Sequence, residues 1–144
     1  MKKLLLLFIP LLFFINGCDK DIYGCTDPDS TNYYPNANVN DNSCTYEAEV
    51  LVWWDENFQS YASWMWGPIS INTYIDGEFA GAVATTMYWT GVPSCENATV
   101  KEIVDLGYIK QKEVLIEYRI SSSTSYYQFV TVVANTCNPV QLSI

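Results

Sequence analysis

Five cysteines and no histidine set the chemistry open to this chain. The thiols of Cys18, Cys25, Cys44, Cys95 and Cys137 can be acylated or oxidised in pairs. The side chain most used for proton transfer near neutral pH, and for holding zinc, is absent. The adjacent carboxylates Asp55 and Glu56 are the nearest approach to a catalytic pair. Glycoside hydrolysis needs two carboxyl groups about 5 to 9 Å apart across a bond, and neighbours in a strand point to opposite faces, so these two are not expected to converge. Glu96, Glu102, Asp105 and Glu117 are expected to solvate outer strand faces. With no Gly-Lys-Ser/Thr loop, nucleophile elbow or Cys-x-x-Cys motif, the expectation is a protein that binds and does not catalyse.

Two groupings could bind. Asp27, Asp29, Asn36, Asn38, Asn40 and Asp41 carry oxygen ligands, and the alternate spacing of 36, 38 and 40 matches the way calcium loops present theirs. The competing reading is a set of Asn-rich turns that satisfy their own backbone. Farther on, Trp53, Trp54, Tyr61, Trp64, Trp66, Tyr74, Tyr88 and Trp89 fall within 37 positions, more rings than a sandwich core holds easily. If Trp64-Met65-Trp66 is extended, its two indoles share a face. Trp53, Trp64, Trp66 and Trp89 are therefore the candidate flat platform for sugar rings, with Asp55, Glu56, Asn57 or Asn72 reaching hydroxyls. Otherwise Trp53 or Trp54 and Trp66 are core, and the rest cap sheet edges or lie in a subunit contact.

The amino terminus decides where such a protein would work. Lys2 and Lys3 precede a twelve-residue apolar run from Leu4 to Ile15, then Asn16-Gly17-Cys18, the order of charge, apolar core and small residue of a secretory signal. The run falls short of the roughly 20 residues that span a bilayer. Ile15-Asn16-Gly17-Cys18 resembles the lipobox of bacterial lipoproteins, which implies cleavage before Cys18, a diacylglycerol on its thiol and acylation of the new amino group. Loss of Lys2 and Lys3 leaves 5 basic against 16 acidic residues, a formal net charge of −11, which disfavours nucleic acid and anionic membrane surfaces. The remaining 127 residues suit one domain with a short module.

With Cys18 acylated, four cysteines remain, an even number suited to an oxidising compartment. Of the three possible pairings, Cys25 with Cys44 and Cys95 with Cys137 is favoured because each pair lies within one compositional segment. Cys18-Asp19-Lys20-Asp21 resembles in part the signal by which Bacteroidetes export lipoproteins to the outer face of the outer membrane. A rule from other bacteria reads Asp after the cysteine as retention at the inner membrane.

Tyr23 to Tyr46 resembles a cassette of the type GCTDPxAxNYxPxAxxDDGSCxY, common in surface proteins of the Bacteroidetes. The match covers Gly24, Cys25, Thr26, Asp27, Pro28, Asn32, Tyr33, Pro35, Ala37, Asp41, Ser43, Cys44 and Tyr46. Asp29-Ser30-Thr31 also resembles the Asp-Ser/Thr-x site at which these bacteria attach glycans.

From Glu47 onward, aromatic and β-branched runs are divided by turns, with no sustained helical period. Strands are expected from Ala48 to Trp54, Pro68 to Ile75, Glu78 to Met87, Ala98 to Val104, Val114 to Ile120, Tyr126 to Ala134 and Val140 to Ile144. Asp76-Gly77 should be a two-residue hairpin turn. Val114, Ile116, Tyr118 and Ile120 are expected inward, with Glu113, Glu117 and Arg119 outward. Strands at this spacing argue for an all-β, antiparallel β-sandwich preceded by a short disulfide-bounded loop cassette. Ile71 to Gly81 resembles the hairpin of small surface sandwiches of the PEGA type, which places the fold as immunoglobulin-like or PEGA-like.

The expected organisation is residues 1–17 as lipoprotein signal peptide, 18–22 as lipidated tether, 23–46 as cassette and 47–144 as sandwich. The expected role is a lipid-anchored cell-envelope module, held to the outer membrane through Cys18 and exposed at the cell surface, recognising a glycan or an envelope protein. No cofactor is expected unless the cassette binds calcium. The alternative is a structural envelope or matrix component without a small ligand. Solvent-facing, coplanar tryptophans favour binding, and their burial favours the structural role.

Overall fold

The computed structural model describes residues 20–143. The signal segment, Cys18 and Asp19 lie outside that range, as does Ile144. Two short strands, β1 (Tyr23–Gly24) and β2 (Val39–Asn40), pair in the cassette, and β3 (Tyr46–Trp53) follows directly. A helix, α1 (Glu56–Trp66), then precedes β4 (Ser70–Ile75), β5 (Glu78–Ala84), β6 (Val100–Gly107), β7 (Gln111–Ser121), β8 (Thr124–Val133) and β9 (Cys137–Gln141).

The strands form two facing sheets, ordered β6-β3-β9 and β5-β4-β7-β8. Side chains alternate across each strand, so Val50 and Val52 of one sheet meet Ile71, Ile75, Val114, Ile116 and Val132 of the other in a single core. Full burial of such a side chain is worth about 1.5–3 kcal/mol. The fold is all-β and sandwich-like, with antiparallel pairing throughout the larger sheet. In the smaller sheet β3 and β9 run parallel. Inside the core, Thr73 Oγ1 has no hydrogen-bond partner.

Several expected devices are present. Asp76 and Gly77 have φ of 49° and 90°, the two positive values that a type I′ hairpin turn requires. Val114, Ile116 and Tyr118 are buried while Glu113 is exposed. Cys25–Cys44 and Cys95–Cys137 are both disulfides.

The helix was not expected. Asp55 caps it, its Oδ1 accepting the Phe58 N–H at 3.0 Å, and Gly67, at φ 77°, ends it before Pro68. Phe58 and Ala62, four apart, drop into the core. Phe58 meets Trp54 and Tyr118 at ring distances of 5.6 and 6.4 Å.

The cassette packs against the sandwich. Cys25, Cys44 and Tyr46 belong to the main core, and Lys110, in the loop after β6, bonds Asp27 and Asp29.

Candidate binding surfaces

The tryptophan platform does not form. Trp53 points to the outer face of β3, yet it is only 7 % exposed, as the alternative that counted it among the core residues has it. The loop after β5 covers it. Trp89 N–H donates to Trp54 O at 3.0 Å and Trp54 Nε1 donates to Met87 O. The Cys95–Cys137 bond holds the far end of the same loop to β9. Leu51, Trp53 and Cys95 are thereby buried in a second cluster, with Trp89 half-buried against it. Trp64 and Trp66 are helical, about 200° apart around the axis at 3.6 residues per turn, and do not share a face. Trp64 is 78 % exposed. Trp66 packs on Tyr61 and Tyr126.

The calcium reading of the cassette is displaced by internal bonds. Asp27 Oδ2 accepts from Lys110 Nζ at 2.7 Å and from Tyr46 Oη at 2.8 Å, and Lys110 also reaches Asp29 Oδ2 at 2.8 Å. These bonds, with the Asp29 N–H on Asp27, hold the Asp27 carboxyl down at about 2. Lys110 is correspondingly raised, first by Asp27 and then by Asp29. Asn38, Asn40 and Asp41 each accept a backbone N–H, from Ile22, Asn42 and Ser43. Asn36 stays exposed. Thus a fixed cation bridges the two aspartates, and the turn-forming reading fits the asparagines. Among the described residues no group of three or more Cys, Asp or Glu is arranged to hold a metal.

Ser30 is equally committed: its hydroxyl is buried, 2.8 Å from both Asp27 O and Cys25 Sγ. As folded, it does not present the accessible hydroxyl that glycan attachment needs.

An exposed aromatic surface lies instead on the outer face of the larger sheet. Register places Phe79, Tyr74, Glu117 and Tyr127 in one row across β5, β4, β7 and β8, and Leu115 opposite Phe129 in the next. Three inter-strand steps of about 4.8 Å make that row roughly 14 Å long. Phe79, Tyr127 and Phe129 are 55, 62 and 65 % exposed. At the centre, Arg119 lies 3.9 Å from the Tyr74 ring centroid and donates through Nε and Nη2 to Glu117 at 2.7 and 2.9 Å. That pair, foremost, lowers the Glu117 carboxyl to about 2 and raises Arg119. The face thus combines open rings with an internally compensated charge. Of this set the sequence reading singled out only Tyr74 as an aromatic. A signal for the rest exists in Tyr126 to Val133, where three of the four outward positions, Tyr127, Phe129 and Val133, are aromatic or apolar and only Thr131 is polar.

A second surface gathers part of the original candidate set. Two hollows of about 260 and 420 Å³ share Trp53, Tyr88 and Trp89. The first is walled by Val52, Val83 and Met87 and is mostly apolar, while the second reaches Asp55, Glu56, Asn57 and Gln141. Asp55 is engaged at the helix cap and with Gln141 Nε2 at 3.1 Å. Asp55 and Glu56 are therefore neighbours at a helix start, not strand residues facing apart. Asn72 lies away from this group, on β4. Comparison with known proteins finds no matching family model, curated relative or solved structure.

Proposed function

We propose that the chain is a lipid-anchored, non-catalytic binding module of a bacterial cell envelope, held through Cys18 at the outer membrane and exposed at the cell surface, and that its ligand is a glycan. The observation carrying the ligand class is the outward row of Phe79, Tyr74 and Tyr127 with Phe129 beside it. The electron-rich ring faces suit the apolar C–H faces of sugar rings, and Arg119 and Glu117 offer polar groups among them. The anchor rests on the lipobox resemblance at Ile15-Asn16-Gly17-Cys18, and the surface location on the residues behind it. A structural envelope component is the second reading, favoured by the burial of Trp53.

A glycan array probed with the full-length chain in detergent tests the ligand class. Binding reduced by Tyr127→Ala and Phe129→Ala supports the reading. Absence of binding across the array transfers support to the structural one.

A further inference from the structure

We propose that the cleft between the start of α1 and the loop bearing Tyr88 and Trp89 is a second site, which receives a lysine side chain from a basic polypeptide segment. Its ligand and residues differ from those of the sheet face.

The inner hollow, about 260 Å³ between Trp53, Trp54, Tyr88 and Trp89, is apolar and too small for a folded partner. Its apolar walls suit an alkyl stem. The outer hollow, about 420 Å³, brings Asp55 and Glu56 to the same mouth. None of the ion pairs among the described residues involves either carboxylate. Lys101, Lys110, Lys112 and Arg119 are engaged elsewhere, by Glu49, by Asp27 and Asp29, by Asp76 and by Glu117. The positive end of the helix offsets only about half a charge. A surplus of negative charge therefore stands at the opening of an aromatic hollow.

The complementary ligand has an apolar stem and a cationic head. Lysine has that form, with four methylenes to lie along Trp89 and Tyr88, on the wall that the two hollows share, and an ammonium for Glu56 in the outer one. Asn57 and Gln141 at the rim offer amides to the incoming backbone. The frame is prepared: Trp54 bonds Met87 O and Trp89 N–H, Leu142 N–H bonds Trp53 O, and the Cys95–Cys137 disulfide fixes the loop behind. A preformed cleft lowers the ordering cost of binding.

The test is calorimetric titration of the full-length chain in detergent with the peptide Ac-Gly-Lys-Gly-NH2, with indole N–H shifts of Trp53 and Trp89 followed by NMR. The expected result is saturable binding that weakens with added salt, falls about fivefold in Glu56→Gln and falls again in Tyr88→Ala. Glu113→Gln, an exposed carboxylate on the other sheet, should leave it unchanged. Equal binding of the acetyl-lysine peptide, equal loss in Glu113→Gln, equal affinity for n-butylamine, or a neutral oligosaccharide taking the same indole shifts would each overturn the assignment. Failure here leaves the sheet face untouched, because glycan binding there is read through Tyr127 and Phe129.

Discussion

Lys110 Nζ lies 2.7 Å from Asp27 Oδ2, joining the loop after β6 to a turn that precedes it by 83 residues. The same ammonium bonds Asp29 and sits 5.6 Å from the Tyr46 ring centroid. One cation therefore fastens the cassette to the sandwich, and its position defines what the cassette aspartates can do.

Because the Asp27 carboxyl is lowered in the fold to about 2, its contribution to stability is complete above the unfolded value of about 3.9 and is lost as pH falls towards about 2. Asp27→Asn should melt below wild type at pH 7, and the gap should close between roughly pH 4 and pH 2. Melting curves at several pH values check this. A gap that persists unchanged at pH 2 would contradict the ion pair.

Calcium should not stabilise the protein. A native-state ligand raises the melting temperature by mass action, and here Lys110 already bridges Asp27 and Asp29. Equal melting temperatures in chelator and in millimolar calcium are expected. A rise with calcium would show that the aspartates release Lys110.

Thr73→Val should stabilise the fold. The buried hydroxyl has no partner, valine is nearly the same shape and suits a strand, and removing an unsatisfied polar group is worth about 1 kcal/mol. For a chain of this size that is roughly 4 °C in Tm. A lowered Tm would mean that the hydroxyl is satisfied.

Replacing Cys95 and Cys137 together by serine should cost about 4 kcal/mol on the loop-closure model. Because that bond holds the loop over Trp53 and Leu51, tryptophan emission should also shift to longer wavelength in the folded double variant. An unshifted spectrum would show that the loop stays in place without it.

Much of this fold was readable because its signals are local. Asp76 and Gly77 are residue types that tolerate positive φ, Gly77 because it lacks a Cβ, and the alternation from Val114 to Tyr118 states which face is buried. The stop and start signals of α1 were equally present, in Asp55 and in Gly67-Pro68. They were overridden by a run of aromatic residues, which have modest helix propensity. The sequence left Trp53 open between platform and core for another reason: its outward direction follows from strand alternation, but its cover comes from a loop some 35 residues later, tied by a disulfide. The β3–β9 pairing is likewise non-local, fixed by packing that no short window reveals. The sheet-face row could have been sought in Tyr127 and Phe129, yet only register aligns them with Tyr74 and Phe79.

The most direct measurement is calorimetric titration of the full-length chain with an array-selected oligosaccharide, comparing wild type with Tyr127→Ala, Phe129→Ala and Trp64→Ala. Stacking on exposed rings is worth about 1–2 kcal/mol each by analogy with bases on aromatic side chains, so each sheet-face substitution should weaken binding roughly tenfold, while Trp64→Ala on the helix should not. Affinity unchanged by Tyr127→Ala and Phe129→Ala, or lost in Trp64→Ala, would contradict a glycan site on the outer sheet.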